Sequence, residues 1–298
     1  MIPAMYFFGL FDLARRFLNC LHFPTTPMVA QLISSIIHIL LCYLFIARWS
    51  MGVKGLGYAT LMTCFNMFSI TAVYAVCTKE TRMALSWPNK DAFINWGEYL
   101  RISVPSTIMM LAEGWAINIL GLFAGLISVN DCAGYTLLLN LSSILFRVPM
   151  GIQSAACAII GEQIGANRTS LAKEYLKLMS GITMMMTILI IITVYLRRVS
   201  IVDLFTTDPK VSELANRNFY LIALIFIPDM IQGSIQGVIR ALDLQKTASL
   251  FAITSHYIMT IPGAFFLVFE LGSGLSGLFI GYLVGDSFLA YFYVRIVL

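Results

Sequence analysis

Runs of 20 or more apolar residues, separated by short charged segments, occupy this sequence from end to end. Lipid offers no partner for an unpaired backbone N–H or C=O, so a run of about 20 apolar residues crosses a bilayer as a helix. The alternating ten-residue strands of a membrane barrel are absent. Only 11% of the 298 residues are charged and 59% are hydrophobic, whereas soluble domains carry roughly 25% charge. The expected fold class is therefore all-α, a polytopic transmembrane helical bundle. Spans are predicted near residues 28–47, 55–77, 102–128, 134–158, 175–196, 218–240, 247–269 and 273–294. Residues 2–20 form a further piece, interrupted by Asp12, Arg15 and Arg16.

Lysine and arginine concentrate in the short cytoplasmic loops of membrane proteins. Here alternate loops hold twelve and six of them, and the richer set, which includes the tail residue Arg295, is assigned to the cytoplasm. The sequon Asn167-Arg168-Thr169 then faces the cytoplasm and is read as a chance occurrence. Trp49, Trp87 and Trp96 fall near span ends as interfacial anchors, and Asp91 to Tyr99 suits an amphipathic helix along the headgroups. The six cysteines show no metal-ligand spacing and are read as reduced packing residues. No nucleotide-binding glycine loop, zinc-protease pair or nucleophile elbow is present, so no enzyme chemistry is expected.

A weak repeat divides the chain. Gly52-Val53-Lys54-Gly55-Leu56 recurs in form as Gly274-Leu275-Ser276-Gly277-Leu278, each opening a span. Parallel repeats of this kind are common in transporters. The offset places the partners of residues 102–222 upstream of Met1, so the expectation is a chain lacking about three spans. The expected organisation is residues 1–78 as a partial N-terminal lobe, 79–101 as a cytoplasmic inter-lobe linker and 102–298 as a C-terminal six-helix lobe.

Three acids, Glu113, Asp229 and Asp286, lie deep in apolar runs. A charge at mid-membrane costs about 2.5–3.5 kcal/mol on insertion scales, so such residues face a protein interior or a watery cavity. Low-dielectric surroundings disfavour the charged form of a carboxyl, which suits Glu113 and Asp229 to coupling by proton uptake and release. Asp286 shares its helix with Gly281 and Gly285, and there an acid also serves simply to bond a neighbouring helix. Arg147 requires a partner. An ion pair with one of the acids is expected, the alternative being a site for an anionic group on a substrate. Trp115, Asn118, Asn140 and Tyr257 are candidates for a substrate-cavity wall. His38 and His256 are read as tucked, hydrogen-bonded rings. Pro228 removes the hydrogen bond to the Leu224 carbonyl and should bend its helix, with similar breaks at Pro105, Pro149 and Pro262.

Several of these residues also carry a family likeness. Val104-Pro105-Ser106 with Glu113-Gly114-Trp115, Pro149-Met150-Gly151 with Ala155-Ala156, Gly161 and Gly165-Ala166-Asn167, then Gly237-Val238-Ile239-Arg240, Pro262-Gly263 and Gly277-Leu278, resemble the multidrug and toxic compound extrusion (MATE) family. The resemblance implies twelve spans in two lobes, with this chain matching the fourth to twelfth. It also implies that Glu113 and Asp229 bind the coupling proton. Asn118 and Asn140 stand where some animal members have acids, and Arg147 where an apolar residue is usual. The resulting expectation is a multi-pass plasma-membrane or endomembrane protein with a cytoplasmic C-terminus. It exports a small organic substrate by proton antiport, with sodium as a possible coupling ion, and needs no cofactor, resident metal or nucleic acid. The alternatives are a lipid-linked head-group flippase of the same fold and a non-transporting fragment.

Overall fold

A computed structural model describes residues 2–85, 94 and 96–298. The described residues are helical almost throughout, in order α1 (Ile2–Cys20), α2 (Thr25–Cys42), α3 (Gly52–Cys77), α4 (Lys79–Ala84), α5 (Trp96–Ile127), α6 (Val129–Leu145), α7 (Arg147–Gly165), α8 (Thr169–Leu196), α9 (Arg198–Phe205), α10 (Pro209–Ala241), α11 (Gln245–Ile253), α12 (Ile261–Phe265) and α13 (Leu275–Val297). Among the described residues eight helical stretches are long and apolar enough to cross a membrane, and each contains or overlaps one of the predicted spans. Trp96 to Tyr99, expected to lie along the headgroups, instead form the first turn of α5. The rest of that expected segment, Asp91–Phe93 and Asn95, lies outside the described residues, as does Trp87.

The chain forms two compact units, one ending at Ile94 and the other comprising the remainder. In the first, α3 packs against α1 and α2. His38 of this unit is satisfied as expected. The Thr63 hydroxyl donates to the Ala59 carbonyl at 2.8 Å, so it accepts from His38 Nδ1 at 2.8 Å and leaves Nε2 to accept the Cys42 thiol at 3.4 Å.

In the second unit α10 is the central helix, with 72% of its most apolar window buried, and α6, α7, α8 and α13 surround it. Between lipid-dissolved helices the driving force is close packing, so small residues mark the contacts. A Cβ at Gly237 would collide with the Gln153 carbonyl oxygen of α7, and one at Gly281 would lie 2.7 Å from the backbone of Ala264. Local signals account for the helix ends. Ser128 caps α6 by accepting the Asp131 N–H at 3.0 Å, and Asp208 caps α10 ahead of Pro209 by accepting the Lys210 N–H at 2.9 Å. Asn167, with φ of 59°, terminates α7 as the left-handed residue of a Schellman turn, with Arg168 N–H bonded to the Gln163 carbonyl at 2.8 Å. The sequon residue is therefore a helix stop.

The prolines behave unequally. Pro149 cannot donate to Leu145, and α6 accordingly ends at Leu145 and restarts as α7 at Arg147 after a turn at Phe146. Pro262 follows a π-helical turn over Thr254–Thr260 and stands at the second residue of α12. Pro105 and Pro228 sit inside continuous helices, so no break occurs at either.

Candidate functional site

The second unit contains a cavity of about 200 Å³, and α5, α6, α7, α10 and α13 all contribute to its wall. Its polar lining consists of Glu113 from α5, Tyr135, Ser142 and Ser143 from α6, Arg147 from α7, Asp229 from α10 and Tyr282 from α13. Leu120, Ile222 and Phe279 are among its apolar residues. The break between α6 and α7 helps to create this space. Gly233 lets α10 approach the break, since a Cβ there would lie 3.1 Å from Pro149 Cβ and 3.2 Å from the Phe146 ring. Gly121 makes similar room for the Tyr135 ring, whose hydroxyl donates to the Ile117 carbonyl at 2.8 Å.

The acids are connected through one face of α10. Gln232 and Gln236 follow Asp229 at three and seven residues, the spacing of a single helical stripe. Gln153 of α7 donates to Gln236 at 2.9 Å, and Gln236 donates to Gln232 at 2.7 Å. Gln232 in turn lies beside both the Glu113 and the Asp229 carboxyls, and its amide nitrogen makes no hydrogen bond among the described residues. The Tyr282 hydroxyl reaches Asp229 Oδ1 at 3.5 Å. Asp229 is 6% exposed, and Asp286, fully buried one turn beyond Tyr282, lies beside it. Polar groups thus run from Glu113 through Gln232 and Asp229 to Asp286, with only the first and third of these four on the cavity wall. The glutamines and Tyr282 were missed by the sequence reading, although the Asp229-Gln232-Gln236 stripe was visible in an otherwise apolar helix.

Two expectations need correction. Arg147 lines the same cavity as Glu113 and Asp229 but, among the described residues, makes no ion pair with either. As the exposed first residue of α7 it is set beyond pairing distance by the helix break. His256 is not a hydrogen-bonded ring. It is fully buried, stacked on Tyr282 with centroids 6.3 Å apart, and neither ring nitrogen has a hydrogen-bond partner among the described residues. The π-helical turn carries the ring against α13 at a place that offers packing instead of a polar contact.

The four proposed cavity-wall residues lie elsewhere. Trp115 is 58% exposed and Asn118 is exposed, with its amide donating to the Gly114 carbonyl at 2.8 Å. Asn140 borders a separate groove with Cys132 and Thr206. Tyr257 packs against the cluster around Met109, Ala112 and Ile239. No group of three His, Cys, Asp or Glu placed to hold a metal ion occurs among the described residues.

Eight membrane-length helices among the described residues, with acids and a broken helix around a cavity of the second unit, define a multi-pass integral membrane protein. Comparison with known proteins narrows that class. The MatE family model matches residues 105–266, and the chain belongs to that family. It is 29% identical over 287 residues to an uncharacterized transporter of Schizosaccharomyces pombe, covering 94% of this chain and 52% of that protein. It is 24% identical over 281 residues to Multidrug and toxin extrusion protein 1 of Danio rerio, covering 94% of this chain and 48% of that one. The chain spans about half the length of the curated relatives it matches. Its fold matches the crystal structure of the eukaryotic MATE transporter AtDTX14 with a TM-score of 0.94 at 24% identity, covering 99% of this chain and 66% of the other.

Proposed function

We propose that this chain supplies the ion-coupling part of a secondary active transporter that exports organic cations or other xenobiotics and metabolites. Protons are the proposed coupling ion, with sodium as the alternative. The observation that carries this reading is the meeting of Glu113 and Asp229, from α5 and α10, at one cavity. A carboxyl that is ionised holds a cationic group and, once protonated, releases it, so the two cargoes compete for one site and exchange across the membrane. Relatives named as multidrug and toxin extrusion proteins support the same reading. Residues 102–298 would form the C-terminal lobe, 1–78 part of the other lobe, and 79–101 the cytoplasmic linker. The lysine and arginine bias supports a cytoplasmic C-terminus.

A head-group flippase would need several basic residues at its cavity, and Arg147 alone among the described lining residues is basic. Antiport is tested in proteoliposomes carrying the purified chain, with efflux driven by a pH gradient and, separately, by a sodium gradient. Glu113→Gln and Asp229→Asn are expected to abolish the gradient-driven component. Undiminished efflux in Glu113→Gln vesicles would remove Glu113 from the coupling role.

A further inference from the structure

Arg147 has no task in the antiport reading, and its position gives it one. It lines the cavity of Glu113 and Asp229, and among the described residues it forms neither an ion pair nor a hydrogen bond. A charge at membrane depth is expensive to keep without a partner, which makes it a functional candidate by default. The acids have company of their own. Gln232 lies beside both, and Tyr282 reaches Asp229. The cavity therefore presents a guanidinium and a pair of carboxyls that do not neutralise one another, with Leu120, Ile222 and Phe279 on the same wall.

This arrangement selects by charge pattern. A purely cationic guest finds the carboxyls but must also tolerate Arg147, and a purely anionic guest meets the reverse. A molecule bearing both charges satisfies both, because a guanidinium binds a carboxylate through two parallel hydrogen bonds and a carboxylate accepts from an ammonium. The volume of about 200 Å³ suits a molecule whose apolar part is one small group such as a single aromatic ring. We infer that this cavity binds a small zwitterion, its ammonium at Glu113 and Asp229 and its carboxylate at Arg147. The inference rests on the proposed transport function only for what becomes of the bound molecule, since binding is measurable without a gradient.

The test uses three probes with one phenyl ring and different charges: phenylalanine, phenethylamine and 3-phenylpropionate. Each is titrated calorimetrically into the purified full chain in lipid nanodiscs with no ion gradient. Phenylalanine is expected to bind most tightly. Arg147→Met should weaken phenylalanine and 3-phenylpropionate by about tenfold or more, as expected for loss of a charge-assisted hydrogen bond, and should leave phenethylamine unchanged or tighter. Arg147→Lys should recover part of the loss, which separates a charge effect from misfolding. Phenethylamine binding best, Arg147→Met leaving phenylalanine affinity unaltered, or no saturable binding of any probe would each overturn the inference. If gradient-driven efflux fails while this binding order holds, the antiport reading falls and the zwitterion site stands. If efflux depends on Glu113 but the order does not appear, the site alone falls.

Discussion

The segment α1–α3 and the segment α10–α13 share an order of local features, yet they treat charge in opposite ways. Each begins with a helix stopped by a non-glycine residue of positive φ, His22 at 63° and Asp243 at 57°. Each stop is closed by a Schellman hydrogen bond, from Phe23 to Leu18 at 2.9 Å and from Leu244 to Ile239 at 3.0 Å. Each continues into a stretch ending in a π-helical turn, Tyr43–Arg48 and Phe266–Glu270, and then a positive-φ glycine, Gly52 or Gly274, at the start of the last helix. Gly55 and Gly277 are equally crowded, since a Cβ at either would lie 3.1 Å from its nearest neighbours. Charge differs. Asp12 in α1 is paired with Arg15 and Arg16, whereas Asp229 and Asp286 have no ion-pair partner among the described residues. His38 is bonded at both ring nitrogens and His256 at neither. The scaffold is repeated, and among the described residues the acids without an ion pair lie in the copy that borders the cavity, not in α1–α3.

The strongest way to break this contrast is to neutralise an acid in each copy. Asp229→Asn is expected to reduce pH-gradient-driven efflux in proteoliposomes to the level of vesicles without protein, while Asp12→Asn leaves it near that of the unaltered chain. Equal losses in both variants would show that the acids of the two segments are not functionally distinct. Packing comes next. Gly281 faces the Ala264 backbone so closely that Gly281→Leu should cost about 1–3 kcal/mol or more through overpacking. Ala59, the corresponding position in α3, already carries a buried methyl, and Ala59→Gly should cost only about 1 kcal/mol through helix propensity. Unfolding midpoints in detergent would rank the two, and the reverse ranking would show that the segments are not packed as described.

The helical spans were legible because their signal is local. A run of apolar residues must be helical in lipid wherever its neighbours lie, and the acids inside such runs identify themselves. The repeat was legible in Gly52 and Gly274, since positive φ leaves a mark in residue type. What escaped the sequence depends on partners distant along the chain. Four prolines looked alike, but of these only Pro149 follows a non-helical turn between two α-helices, the turn over which Gly233 packs. The partner of His38 lies 25 residues away on α3, and nothing in either apolar run reveals that His256 has none. The separation of Arg147 from the acids likewise follows from where α7 restarts. The Gln232 and Gln236 stripe differs, because its spacing from Asp229 on one helix was readable in advance.

The histidines sharpen the comparison at a smaller scale. Thr63→Val removes the acceptor of His38 Nδ1 and leaves a polar atom unpaired in an apolar bundle, so it should lower stability by about 1–3 kcal/mol. His256→Leu removes a ring whose nitrogens are already unpaired and should raise the unfolding midpoint, by about 1 kcal/mol in stability, because an apolar side chain leaves no polar atom unsatisfied. A loss of stability in His256→Leu would mean that the ring is bonded in the membrane and that the two segments treat their histidines alike.

The smallest effect belongs to the pair that makes α1 unlike α10. Asp12 accepts from Arg16 Nε at 2.8 Å and also pairs with Arg15, but the Arg16 side chain is 65% exposed and that of Asp12 29%. Ion pairs exposed to this degree contribute about 0–1 kcal/mol, screened by salt, because water competes for both charges and two long side chains lose freedom. Asp12→Asn should therefore lower the unfolding midpoint only slightly at low ionic strength, and the difference should vanish at high salt. A salt-independent loss of several kcal/mol would place Asp12 in a low-dielectric environment like that of Asp229. It would also move the distinction between the segments from charge burial to pairing alone.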